Sequence, residues 1–208
     1  MKRQTLPLGT LAANCTVLWH EGAHDCWIVD PGGDADDLIA FLAEHDLTPA
    51  LVALTHAHFD HIGAVPALVA KWPNLPVHVG PGDAVMFGNP LNQWEPDYSC
   101  VAKPATLVTD LTEGATLTAG GLTATVLATP GHTPGGVCLH FQDAALLLAG
   151  DTLFAGSCGR TDFPGGSPKQ MQASLRRLAT LPPETVVVAG HGGSTTIGRE
   201  VESNPYMT

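Results

Sequence analysis

Within one short run, Thr55-His56-Ala57-His58-Phe59-Asp60-His61, the chain sets three imidazoles and a carboxylate directly after a continuous apolar stretch, Ala50–Leu54. That stretch reads as a strand buried on both faces. A helical pattern follows, from about Gly63 to Lys71, and Pro66 fits it only in the first turn, which puts the helix start just after His61. The polar run therefore stands at the C-terminal end of a buried strand, where layered α/β proteins gather their ligands. Residues two apart on extended backbone point the same way, so His56 and His58 aim at one place. Asp60 and His61 lie past the bend and aim at a second. Asp60 by itself would read as an N-cap of the following helix; so many ligand-type side chains together call for another explanation.

The second half of the chain repeats the placement. His132, in Thr129-Pro130-Gly131-His132-Thr133-Pro134-Gly135-Gly136, follows the strand pattern Leu122–Ala128. Asp151 follows Ala144–Ala149, and His191, in Gly190-His191-Gly192-Gly193, follows Thr185–Ala189. Histidine nitrogen and carboxylate oxygen suit zinc, and catalytic sites keep a position open. The count suits two divalent ions, zinc first, with iron or manganese as alternatives. His56, His58 and His132 would hold one ion, and Asp60, His61 and His191 the other. Asp151 would bridge them.

The rest of the pattern predicts an α/β architecture. A hairpin is expected from Cys15–His20 and Asp25–Asp30, then a helix over Ala35–His45 capped by Asp34. A short strand is expected over Val77–Gly80, and an irregular loop over Gly88–Pro104 with Trp94 and Tyr98. From Thr106 the chain turns β-rich, with Ala115–Leu117 and Gly136–Phe141 as further strands, a helix over Pro168–Thr180 and another from Ile197. No linker divides the halves, so residues 1–208 are expected to form a single domain, with two sheets inside and helices on both outer faces.

Composition narrows the function. Hydrophobic residues make up 44% and charged residues 14%, a globular balance. The net charge of −11, with no basic run, argues against nucleic acid as partner. No apolar stretch approaches the ~18 residues of a membrane span, and no signal-peptide core is present. Five irregularly spaced cysteines point to reduced thiols and a cytoplasmic setting rather than a disulfide framework.

The H-x-H-x-D-H run with the later His, Asp and His at strand ends resembles the metallo-β-lactamase superfamily over essentially the whole chain. The resemblance implies a four-layer αββα sandwich and the ligand set given above. Within the superfamily, Gly131-His132-Thr133-Pro134-Gly135, Cys158-Gly159-Arg160-Thr161-Asp162 and Gly190-His191-Gly192 resemble the glyoxalase II-like hydrolases. They resemble the compact bacterial type without the C-terminal helical domain that grips glutathione, since the chain ends soon after His191. β-Lactamases proper usually lack the Asp-His pair of the first motif. Flavodiiron relatives carry Glu in place of His58, and RNase Z relatives carry an RNA-binding arm.

The implied activity is hydrolysis of a small-molecule thioester, of the S-2-hydroxyacylglutathione (S-lactoylglutathione) kind, by a hydroxide bridging the two ions. Asp60 is the catalytic candidate, ligating and orienting that hydroxide. Arg160 is the candidate for a substrate carboxylate, with an ion pair to Asp162 as its alternative role. The rival is a persulfide dioxygenase, which shares the fold and the Cys-Gly-Arg-Thr-Asp segment; it would use one iron on His56, His132 and Asp151. A weaker rival is a metal-binding protein without turnover.

Overall fold

The computed structural model describes residues 1–92 and 100–207; Trp94 and Tyr98 of the expected loop lie outside them. The first half forms strands β1 (Lys2–Leu8), β2 (Ala13–Trp19) and β3 (Asp25–Val29), helix α1 (Ala35–Glu44), strand β4 (Thr48–Ala53), helices α2 (Phe59–Ile62) and α3 (Val65–Lys71), and strands β5 (Val77–His78) and β6 (Leu107–Val108). The second half forms β7 (Thr116–Ala119), β8 (Leu122–Ala128), β9 (Val137–Phe141), β10 (Leu146–Gly150), β11 (Leu153–Phe154), β12 (Ser157–Cys158), helix α4 (Pro168–Leu178), β13 (Val186–Ala189), β14 (Thr195–Thr196) and helix α5 (Ile197–Ser203).

Two sheets result, ordered β1-β2-β3-β4-β5-β6 and β14-β13-β10-β9-β8-β7, with β11-β12 as a separate hairpin. Strand alternation assigns each residue to a layer. On β3, Trp27 and Val29 face the other sheet, where they join Ala124 and Val126 of β8 and Leu146 and Leu148 of β10. Cys26 and Ile28 face the opposite way, toward Leu38 and Leu42 of α1 and Val65 and Leu68 of α3. Leu147 and Ala149 of β10 turn outward beneath Met171 and Leu175 of α4 and Ile197 of α5. The order of layers is thus helices, sheet, sheet, helices: the four-layer αββα sandwich. No helix among the described residues is long and apolar enough to cross a membrane.

Three local expectations change. Strand β1 was not anticipated, because its exposed KRQTLPL pattern lacks a buried alternation; it pairs with β2 at the sheet edge, where Pro7 is tolerable. Asp34 occupies the N-cap position of α1 but makes no side-chain cap bond; its carboxylate instead accepts from Gly9 N–H at 2.7 Å. The helix expected from Gly63 starts earlier and is broken into α2 and α3, with Pro66 near the start of α3. Asp60 therefore lies inside the first turn of α2 and is no cap; His58 takes the cap position.

Candidate metal centre

Four loops meet at one edge of the two sheets: after β4, after β8, after β10 and after β13. Each carries the side chains expected of it. His56, His58 and His132 form one cluster, Asp60, His61 and His191 another, and Asp151 groups with His56 and His61; within each cluster the ligand atoms lie within 4.8 Å of one another. The rings of His56, His58 and His132 stand edge to face, with centroids 4.5 to 4.9 Å apart. Asp151 faces both clusters: Oδ1 is 3.5 Å from His61 Nε2, and Oδ2 is 3.5 Å from His132 Nε2 and 3.8 Å from His191 Nε2.

The far sides of the His56, His61, His132 and His191 rings are anchored. His132 Nδ1–H donates to the Arg160 carbonyl at 2.7 Å, and His191 Nδ1–H to the Leu11 carbonyl at 3.1 Å. Thr55 Oγ1–H donates to Asp30 at 2.6 Å, so the 3.2 Å contact with His56 Nδ1 makes that nitrogen the donor. His61 Nδ1 lies 3.1 Å from Asp30 Oδ2. These anchors turn the Nε2 lone pairs inward. The Nε2 atoms of His56, His61 and His132 and the Oδ1 of Asp151 are buried with no hydrogen-bond partner. Buried polar atoms are seldom left so; a convergent set of nitrogen and carboxylate donors fits divalent cations.

Electrostatics follow the same division. Burial and the neighbouring imidazoles hold His56 well below its ordinary range, and burial with His132 pushes His58 down to about 3. Neutral imidazole is the ligating form. Burial opposes charge on His61 too, yet Asp30, Asp151 and Asp60 outweigh it and raise His61 to about 10. Burial likewise opposes ionisation of Asp60, but His191 and His61 hold its carboxyl at about 2. The hydrogen bond that His191 Nε2–H donates to Asp60 raises His191 in turn. These shifts favour protons on His61 and His191 opposite the carboxylates, and a bound cation would take their place.

Two buried carboxylates behind the ligands were not singled out in the sequence. Asp30, 2% exposed, accepts from Thr55 N–H and Oγ1–H and faces His61. It ends a buried strand just as Asp151 does, and that placement was the available signal. Asp83, fully buried, accepts from Ala57 N–H, Thr133 Oγ1–H and Gly135 N–H; no local pattern marks it.

The centre floors a cleft of about 390 Å³, with walls from Leu11, Phe154, Ser157, Cys158, Arg160 and Phe163. The size suits a small ligand. Arg160 lines this cleft, and its guanidinium forms the alternative ion pair: Nε and Nη2 donate to the two oxygens of Asp162 at 2.7 and 2.6 Å. That hydrogen bonding holds the Asp162 carboxyl at about 2. The guanidinium also lies 4.0 Å from the Phe163 ring centroid.

Comparison with known proteins gives the same picture. Relatives include the probable metallo-hydrolase YqgX of Bacillus subtilis, 37% identical, and the hydroxyacylglutathione hydrolase GloC of Haemophilus influenzae, 33% identical; each alignment spans 100% of this chain and 98% of the relative. Among solved structures, BLEG-1 B3 metallo-β-lactamase superposes with TM-score 0.91 at 39% identity over 100% of both chains. TTHA1623 in a di-iron-bound form superposes with TM-score 0.85 at 39% identity, over 98% of this chain and 99% of that one. A family model of the metallo-beta-lactamase superfamily matches residues 8–191; with the αββα layers and the strand-end histidines and aspartates in place, the chain belongs to that superfamily.

Proposed function

We propose that the protein is a binuclear metal-dependent thioester hydrolase acting on S-2-hydroxyacylglutathione-type substrates. The observation that carries the reading is Asp151, whose two carboxylate oxygens turn toward two separate histidine clusters. His56, His58 and His132 would hold one ion, Asp60, His61 and His191 the other, with Asp151 shared. Likeness to GloC supports the substrate class, and likeness to a di-iron protein supports paired metals, zinc or iron. Two divalent ions held there would supply a nucleophilic water near neutral pH and polarise a carbonyl.

The chain's own groups then have definite tasks. Asp60, kept ionised, accepts a hydrogen bond from the attacking water and orients it toward the carbonyl carbon. Phe154 and Phe163 flank the acyl group and exclude bulk water. Arg160, at the rim, exchanges its Asp162 partner for a substrate carboxylate. The thiolate is a good leaving group, so no protein acid is required. The free cysteines among the described residues accord with a reducing cytoplasm.

The test is a thioester panel including S-lactoylglutathione, run on protein of measured metal content. The expected outcome is two ions per chain and turnover that a D151A variant loses together with paired-metal binding. Full turnover by D151A overturns the mechanism. One iron per chain with oxygen uptake on glutathione persulfide establishes the dioxygenase instead. Hydrolysis of a β-lactam but no thioester assigns the activity that the BLEG-1 likeness brings into the panel. No turnover above the metal-stripped control leaves a binding protein.

A further inference from the structure

Asp83 belongs to no ligand cluster, yet it is buried at the joint between two ligand loops. It sits in the 3-10 turn Pro81–Met86 that follows β5. Its Oδ2 accepts from Ala57 N–H at 3.1 Å and Thr133 Oγ1–H at 2.7 Å, and its Oδ1 from Gly135 N–H at 2.6 Å. Ala57 lies between His56 and His58, and Thr133 directly follows His132. The turn is seated backbone to backbone on the second loop: a Cβ at Gly135 would meet Asp83 N at 2.4 Å. Asp83 therefore joins the loops bearing three histidines and, among the described residues, makes no hydrogen bond on the side of Asp60, His61 and His191. There Asp30 stands behind His61.

We infer that Asp83 is a positioning residue that assembles the three-histidine half of the centre, an inference that rests on the two-ion reading above. The chemistry requires a carboxylate. Three donors converge on it, and an ionised carboxyl is all acceptor. The amide of D83N would turn its N–H2 toward at least one of the backbone N–H groups, whichever way it flips. The ring geometry of the three histidines then loosens, while the other half keeps its own support.

Chelator competition on the zinc-loaded protein tests this without reference to activity. The D83N variant should hold one ion as tightly as the parent and the second about 10- to 100-fold more weakly. T133V, which removes one donor, should weaken the same ion about fivefold; T133S, which restores the hydroxyl, should match the parent. In an H191A background, where competition reads the three-histidine half alone, D83N should weaken the ion by the same factor. Parental affinity at both sites in D83N and T133V, or equal weakening of both ions, overturns the inference. Should D83N fail to fold, the difference between T133V and T133S decides it. A parent that binds a single ion defeats the two-ion reading separately; Asp83 then stands or falls on whether D83N weakens that ion.

Discussion

At the scale of residues, the centre depends on how closely backbone approaches the ligands. Gly190 precedes His191, and a Cβ there would meet Asp151 Oδ1 at 2.0 Å and His61 Cε1 at 2.8 Å. His61 cannot retreat, since it is fully buried and held by Asp30, so the displacement falls on Asp151. G190A is therefore expected to push the Asp151 carboxylate off its position between the clusters and to lose at least one ion per chain. The sandwich should persist, because the substitution lies outside the three apolar cores. Metal content by mass spectrometry and far-UV circular dichroism check this; unchanged stoichiometry would show that Asp151 has room to move. The ligand candidates were readable because each lies in a segment that follows a buried strand, Asp60 and His61 in the short helix α2 that continues the first of them. Asp83 was not, because its meaning comes from donors 26, 50 and 52 positions away. Arg160 was readable as a substrate contact with an ion pair as its alternative role, and the folded chain shows the pair with Asp162.

Elements differ in how openly they declare themselves. β8 has the bounds its apolar alternation predicts, and α5 begins at Ile197 as expected. The edge strand β1 carries no such alternation, and the helix expected in one piece divides at Gly63, with Pro66 in the first turn of α3. Helix α5 also has a task that its amphipathic pattern does not state. Its Glu200, 1% exposed, accepts from Gly156 N–H at 2.7 Å and Asn204 Nδ2–H at 2.8 Å, and Asn204 Nδ2–H also donates to the Ser157 carbonyl at 3.0 Å. The helix thereby holds the β11–β12 hairpin, which supplies Phe154, Ser157 and Cys158 to the cleft wall. E200A would leave the Gly156 N–H and the Thr195 Oγ1–H without their acceptor and should cost about 1–3 kcal/mol of stability. Because the hairpin forms the wall and not the metal floor, KM for the thioester should rise several-fold while kcat and metal content stay near the parent. Urea unfolding and steady-state kinetics check the two halves of the expectation; a fall in kcat at constant KM would contradict it.

Across the whole molecule, the helices seal the sheets over reduced thiols. Cys15 and Cys26 lie in the core beneath α1, and Cys138 in the core beneath α4. Burial pushes Cys26 up to about 12 and Cys138 up to about 11, and raises Cys15 further. In the unfolded chain a thiol ionises near pH ~8.5. Between that pH and the folded values the native state keeps protons that the unfolded state has released, so stability falls as pH rises. Below pH ~8.5 the contribution is fully present. Each such thiol should steepen the loss by about 1.4 kcal/mol per pH unit through its window. Other groups titrate in the same range, so the slope of one protein proves nothing, and the comparison must be between slopes. A C26A/C138A variant removes one thiol from each outer core. It is expected to be less stable than the parent at pH 7, where the lost packing dominates, and to lose less stability between pH 9 and pH 11. The two denaturation midpoints should therefore converge as pH rises. Parallel lines would mean that the thiols ionise as readily in the folded protein as in the unfolded chain, and that the helical layers do not seal the sheets against water.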